Sequence, residues 1–387
     1  MQKIYKWYKD NGLLKIVMVV VVIRVIMSLS GLLVMSKVGT FDNHWNIIKS
    51  GTTAETSHSF LNIWSRWDGQ WYRSIADNGY LTKGAPYSIH TNKDIVFFPL
   101  FPLSSRLLSL GIVPTVLAGL VISNIATVAI IGLLYALLIK RKTPANVALL
   151  CTWIVVAQPM AFIFGAYYSE ALFLCLALAY LFYSQLNKKI LSFVFGVLAG
   201  LTRPTGLVLI VVGAIQMIRD KFWKQPIKDT VSKAVSLSGP LVGYILFATY
   251  AFTNTGSWST FTEAEQQGWG RYLQLSSIFK NLFIQPFVGL NWFAFSAFAW
   301  LVIILVIWQR KKIGLDLTIW TLLTIALPLG TSLLGMPRYT ITLFTMPLAL
   351  SYLLIRKPRL WKALLVSLFI VQVVCFCLWA MNAQTLV

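Results

Sequence analysis

The sequence predicts an all-α, polytopic membrane protein folded as one domain, and three observations carry that expectation. Of its 387 residues, 57% are hydrophobic and 12% charged, about half the charged share of an ordinary soluble domain. Apolar runs of roughly 20 residues, long enough to cross a bilayer as helices, recur along the chain. The net charge of +21 is gathered in short basic clusters between those runs. That pattern implies membrane topology and a lipid bilayer with anionic headgroups as the partner, with no nucleic acid.

Nine full spans are expected, near 13–35, 112–139, 145–163, 168–186, 237–253, 291–309, 316–335, 340–356 and 361–381. The first run is longer than the apolar core of a signal peptide, so an uncleaved span is expected there. Placing the N-terminus in the cytoplasm puts 21 of the 33 basic residues on the inner side, as positive residues prefer. Two polar loops, 36–96 and 254–290, then lie outside, the first carrying interfacial helices. Residues 190–218 are flanked by inner-type clusters on both sides yet are too short for two crossings. Their centre, Thr202-Arg203-Pro204-Thr205-Gly206, breaks helices. A hairpin of two short helices is expected, its tip lining a polar cavity.

On this topology the unusual polar residues gather on the outer side. Asp68 is in the first loop with Arg66, Trp67, Trp71 and Tyr72. Glu170 opens a span, Arg203 stands at the hairpin tip, Gln267, Trp269 and Arg271 lie in the second loop, and Arg338 in a turn. Ionisable groups at membrane depth are costly and usually functional. Carboxylates serve as general bases, and arginines grip phosphate through a planar fork. Together they suit transfer from a lipid-phosphate donor to a hydroxyl, with aromatic rings, Tyr80 among them, to stack on sugar.

Plainer readings exist for each. Ser65 to Asp68 matches a capping box opening a helix that ends near Asn78-Gly79. Glu170 would pair with an arginine inside the bundle, Arg203 would satisfy carbonyls freed by Pro204, and Arg338 would anchor at the interface. The spacing of His44, His58 and His90 matches no metal motif, so neither a metal nor a cofactor is expected. The four cysteines lie within apolar runs as small hydrophobes. Asp42 and Asp94 are candidates for a second acid beside Asp68. Arg24, mid-span, needs a partner.

Several blocks resemble the GPI mannosyltransferase II (PIG-V) family and its bacterial relatives. They are Arg66-Trp67-Asp68 with Tyr72, Ile75-Ala76 and Gly79-Tyr80; Phe97-Phe98-Pro99-Leu100-Phe101-Pro102-Leu103; Tyr168-Ser169-Glu170; Leu198 to Gly206; and Pro337-Arg338-Tyr339. The resemblance implies a GT-C type fold and a metal-independent mannosyltransferase using a polyprenyl-phosphate sugar with inversion. It implies an acidic catalytic base in the first outer loop, the position Asp68 matches best. The grouping of residues itself adds the expectation that Glu170 acts beside it, that Arg203 or Arg338 neutralises the donor phosphate, and that Arg66, Trp67, Trp71, Tyr72, Gln267, Trp269 and Arg271 contact substrate. The expected acceptor is a cell-envelope glycolipid, polymer or surface protein, and the expected place is the extracytoplasmic face of the cell membrane. A lipid or glycolipid transporter is the competing class, since transporters also use broken helices. A non-catalytic envelope scaffold would need no such grouping of acid and arginine.

Overall fold

The computed structural model describes residues 12–39, 59–80, 93–333 and 335–381. His44, His58, His90 and Asp42 lie outside these residues. Among the described residues there is no β-strand. The helices of ten residues or more are α1 (Gly12–Val38), α2 (Asp68–Asn78), α3 (Leu100–Ser109), α4 (Thr115–Lys140), α5 (Ala145–Ala157), α6 (Glu170–Gln185) and α7 (Lys189–Gly200). They continue with α8 (Leu209–Arg219), α9 (Ile227–Leu237), α10 (Gly239–Thr255), α11 (Leu290–Trp308), α12 (Leu315–Thr331), α13 (Thr345–Leu354) and α14 (Pro358–Ala380).

Four of these, α1, α4, α11 and α14, are long and apolar enough to cross a membrane, and a fifth span results if α9 and α10, bent by 50°, count together. The protein is therefore a helical membrane protein. Several expected spans are shorter than the apolar runs that announced them, because proline sets the boundaries. The run 145–163 stops as a helix at Ala157, where Gln158, preceding Pro159, turns extended (φ −50°, ψ 145°), as the residue before proline prefers. The run 340–356 keeps only α13, whose first turn holds Pro347, where a missing N–H costs nothing.

Residues 190–218 fold as α7 and α8 around the break, with a 3₁₀ turn at Pro204–Val208. Arg203 is extended before Pro204 (φ −156°, ψ 150°). Gly206 comes so near α7 that a Cβ there would lie 2.6 Å from the Ala199 carbonyl oxygen. Contacts with α6 fix both ends of this hairpin. Near the first residue of α6, Arg203 meets Glu170; near its last turn, Ser184 donates to Gln216 of α8 at 2.8 Å.

Two glycine pairs at four-residue spacing, Gly196/Gly200 on α7 and Gly239/Gly243 on α10, bring those helices into backbone contact. Added Cβ atoms would lie 2.2 Å from the Pro240 oxygen at Gly200 and 2.1 Å from the Val197 oxygen at Gly243. Small residues so spaced are how helices approach closely in lipid. Arg24 donates to Thr127 at 3.0 Å and packs under Gly165, so it clamps α1 to α4 and the 3₁₀ turn Ala161–Gly165.

Gly243→Val is predicted to lower stability by about 1–3 kcal/mol or more through overpacking. Gly132→Ala, where no atom lies within 4 Å, should leave stability equal or slightly raised. Unfolding temperatures in detergent check both; an unchanged Gly243→Val contradicts the packing account.

Candidate functional site

Asp68 is the first residue of α2, where a negative charge favours the helix N-terminus. Ser65 does not cap that helix: its hydroxyl donates to the Leu61 carbonyl at 3.0 Å, because the chain turns sharply at Trp67 (φ 55°, ψ −123°) before the helix begins. A left-handed, non-glycine residue beside an acid stores strain of the kind found at functional sites. The turn is held from below. The Tyr167 amide donates to the Trp64 carbonyl at 2.8 Å, the Tyr168 hydroxyl to the Arg66 carbonyl at 3.0 Å, and the Trp379 indole to the Ile63 carbonyl at 3.0 Å. The helix ends as expected at Asn78, followed by Gly79 with φ 81°.

Four of the expected site residues form one ion-pair cluster. Arg338 bridges the two acids, with Nη2 at 2.7 Å from Asp68 Oδ2 and Nε at 2.9 Å from Glu170 Oε1. Arg203 Nη1 reaches the same Glu170 oxygen at 2.7 Å and donates to Ser169 Oγ at 3.1 Å. Glu170 is fully buried, whereas the Asp68 side chain keeps 16% of its surface exposed. Asp68 is thus the acid with surface open to solvent, and Glu170 is the buried anchor that holds two guanidinium groups. Glu170 Oε2 and Trp67 Nε1 are buried without a hydrogen-bond partner.

The second loop joins this cluster. Trp269 meets Trp71 edge-on, with ring centroids 5.7 Å apart, and Phe97 packs against both. Arg271 lies 5.6 Å from the Trp269 ring and 5.9 Å from the Tyr339 ring. Arg203 and Arg338 also lie over Tyr339, at 6.0 and 5.6 Å, so three guanidinium groups surround one phenol. Gln267 is exposed and takes no part in the ion pairs. Tyr72 and Arg66 stand behind the surface. Both are buried; the Tyr72 hydroxyl shares a hydrogen bond of 2.7 Å with Ser169, and the Arg66 Nη2 lies 3.6 Å from Met35 Sδ. Tyr80 is also buried, donating to the Phe97 carbonyl at 2.5 Å, so of the expected aromatic rings Trp67, Trp71 and Trp269 are the ones that stay half-buried.

Two residues at this site were not legible beforehand. In the sequence, Tyr339 is only the neighbour of Arg338, with no role of its own. Glu265 sits on a π-helical turn, Ala264–Gly268, and pairs loosely with Arg271 at 3.7 Å. Burial raises the Glu265 carboxyl above its ordinary range; Arg271 opposes this, and the charge of Asp68 adds to it. Glu265 thus joins the cluster through Arg271, while Asp94, the other candidate second acid among the described residues, is buried. Among the described residues, no group of three or more His, Cys, Asp or Glu side chains could hold a metal ion.

No family model and no curated protein sequence matches the chain. Among solved structures, a match is the crystal structure of the Archaeoglobus fulgidus oligosaccharyltransferase, tethered through a disulfide bond to an acceptor peptide containing the NVT sequon. It is 12% identical with a TM-score of 0.47, covering 98% of this chain and 56% of that one. The chain spans little more than half of that protein, and a similarity at this level carries no functional inference.

Glu170→Gln leaves two arginines buried with too little counter-charge, and stability should fall by about 3–5 kcal/mol. An unchanged unfolding temperature would contradict this. The raised Glu265 carboxyl makes the folded state hold its proton to higher pH than the unfolded chain. This group's contribution to stability therefore declines as pH rises above the ordinary glutamate range. Thermal unfolding from about pH 4 to about pH 7 should show that decline in the wild type and less of it in Glu265→Gln.

Proposed function

We propose that this protein is a GT-C-like membrane glycosyltransferase, moving a hexose, mannose in the first instance, from a polyprenyl-phosphate donor to a hydroxyl of a cell-envelope acceptor. The observation that supports it most is the bridge from Arg338 to Asp68 and Glu170 beside Arg203. It couples a partly exposed carboxylate to two arginines held in fixed orientation, which are the parts that sugar transfer from a phosphate requires.

In the proposed step, the donor phosphate competes with Asp68 for Arg338 and frees the carboxylate. Asp68 takes the acceptor's hydroxyl proton as that oxygen bonds to C1 of the sugar. The bond from C1 to the phosphate oxygen breaks, and its electron pair leaves on the lipid phosphate. Arg338 and Arg203 neutralise that charge, and such pre-placed charge needs no reorganisation at the moment of reaction. Attack opposite the departing phosphate inverts the anomeric centre. Glu170 is a positioning residue, and Trp71 and Trp269 offer a platform for the sugar. The site belongs on the extracytoplasmic face, with the N-terminus cytoplasmic and about nine crossings.

The transporter reading calls for matched broken helices in two halves of the chain. The bend between α9 and α10 follows directly on the α7–α8 break, in the same half, and so supplies no such match.

Asp68→Asn should slow transfer of radiolabelled mannose from polyprenyl-phosphate-mannose to membrane acceptors by about 10²–10⁴-fold while donor binding persists. Arg338→Lys keeps the charge but loses the fork, and donor binding should weaken. Transfer at the wild-type rate by Asp68→Asn would remove Asp68 from the chemistry.

A further inference from the structure

The opposite end of the bundle holds a second site that the proposed chemistry does not use. Ser184 is fourteen residues beyond Glu170 on α6, about 21 Å along the helix axis. Around it, the ends of α4, α6 and α8 and the starts of α7 and α9 enclose a cavity of about 970 Å³, within the upper range of small-molecule sites. Its wall is cationic: Lys140, Lys142, Lys189, Arg219 and Lys233 line it, against Asp220 and Asp229.

The charges are unequally committed. Asp220 pairs with both Lys233 and Arg219, and Lys189 donates to Ser232 at 2.9 Å. Lys140 and Lys142 form no ion pair among the described residues and are exposed. Arg141, between them, is turned away to Asp316, which it grips with two hydrogen bonds of 2.7 and 2.8 Å. Gln216, also in the wall, is 4% exposed. Its oxygen accepts from Ser184, while its amide nitrogen is buried without a partner. A buried donor left over in a cationic cavity calls for an anionic acceptor.

The surroundings identify the source of that anion. Ile227, Val231 and Val235, one stripe of α9, are 83%, 54% and 55% exposed, and Trp223 beside them is 59% exposed. A short helix with such a stripe and lysines on its other faces lies at the level of lipid headgroups. We propose that this cavity binds the phosphate of an anionic glycerophospholipid in the leaflet opposite the candidate active site, the lysines taking the charge and Gln216 donating to a phosphate oxygen. Basic pockets between helices on the cytoplasmic side hold anionic headgroups by this physics. The proposal stands independently of the glycosyltransferase reading.

The full chain, purified in mild detergent, is titrated with dioleoyl-phosphatidylglycerol or dioleoyl-phosphatidylcholine, and bound lipid is counted by native mass spectrometry. Phosphatidylglycerol should bind at least about tenfold more tightly than phosphatidylcholine. The triple change Lys140→Ala, Lys142→Ala and Lys189→Ala should remove that preference. Gln216→Glu, which keeps shape but adds a negative charge, should do the same. Removing an equal number of basic residues elsewhere on that face (Arg356→Ala, Lys357→Ala, Lys362→Ala) should leave the preference intact. Equal loss in that control, or no loss in both cavity variants, overturns the proposal. Displacement of the lipid by equimolar inorganic phosphate would make this a site for a soluble anion and overturn the lipid assignment.

Discussion

The arrangement depends on one fully buried carboxylate. A charge such as that of Glu170 survives out of water only when it is paired and hydrogen-bonded. Its partners come from far along the chain, Arg203 from the hairpin tip and Arg338 from the turn before α13. The polar end of the bundle is therefore specified by charge as much as by shape. Arg338 reaches Asp68 only because it is first held by Glu170, and so the exposed acid takes its geometry from the buried one.

Around that core, elements with no chemistry of their own fix positions. The paired glycines of α7 and α10 set how close the hairpin lies to its neighbour, and hence where Arg203 ends. The Leu100 amide donates to the Leu201 carbonyl at 3.1 Å, tying the aromatic-rich segment after the first loop to the hairpin tip. Trp71, Phe97 and Trp269 close one side, joining the two outer loops. Burial of large rings at the end of an apolar bundle is favourable in itself, and here it also brings Arg271 and Glu265 to the cluster.

Much of this was legible in the sequence, for a physical reason. Charges at membrane depth are rare and need partners, so Asp68, Glu170, Arg203 and Arg338 stood out once basic clusters placed them on one side. The break at Thr202 to Gly206 was readable because proline and glycine act locally. Other features depended on tertiary structure. Ser65 had the spacing of a cap, but strain at Trp67 directs its hydroxyl elsewhere. Arg66 and Tyr72 had the composition of a binding surface, yet packing against residues 167–169 covers them. Glu265 resembled any loop glutamate until a π-helical turn set it beside Arg271. The apolar runs overstated helix length wherever proline cut them, and the plainer reading of Glu170, pairing with arginine, coexists with the functional one.

The central claim is that this cluster carries a sugar from a lipid phosphate to a hydroxyl by direct displacement. The measurement that tests it most directly is the anomeric configuration of the product. Purified protein would receive polyprenyl-phosphate-mannose labelled with ¹³C at C1, and the one-bond C1–H1 coupling of the transferred mannose would be read by NMR. A β-linked donor giving an α-linked product is the predicted result. A β-linked product would contradict direct displacement, and the absence of transfer from any polyprenyl-phosphate hexose would contradict the assigned chemistry.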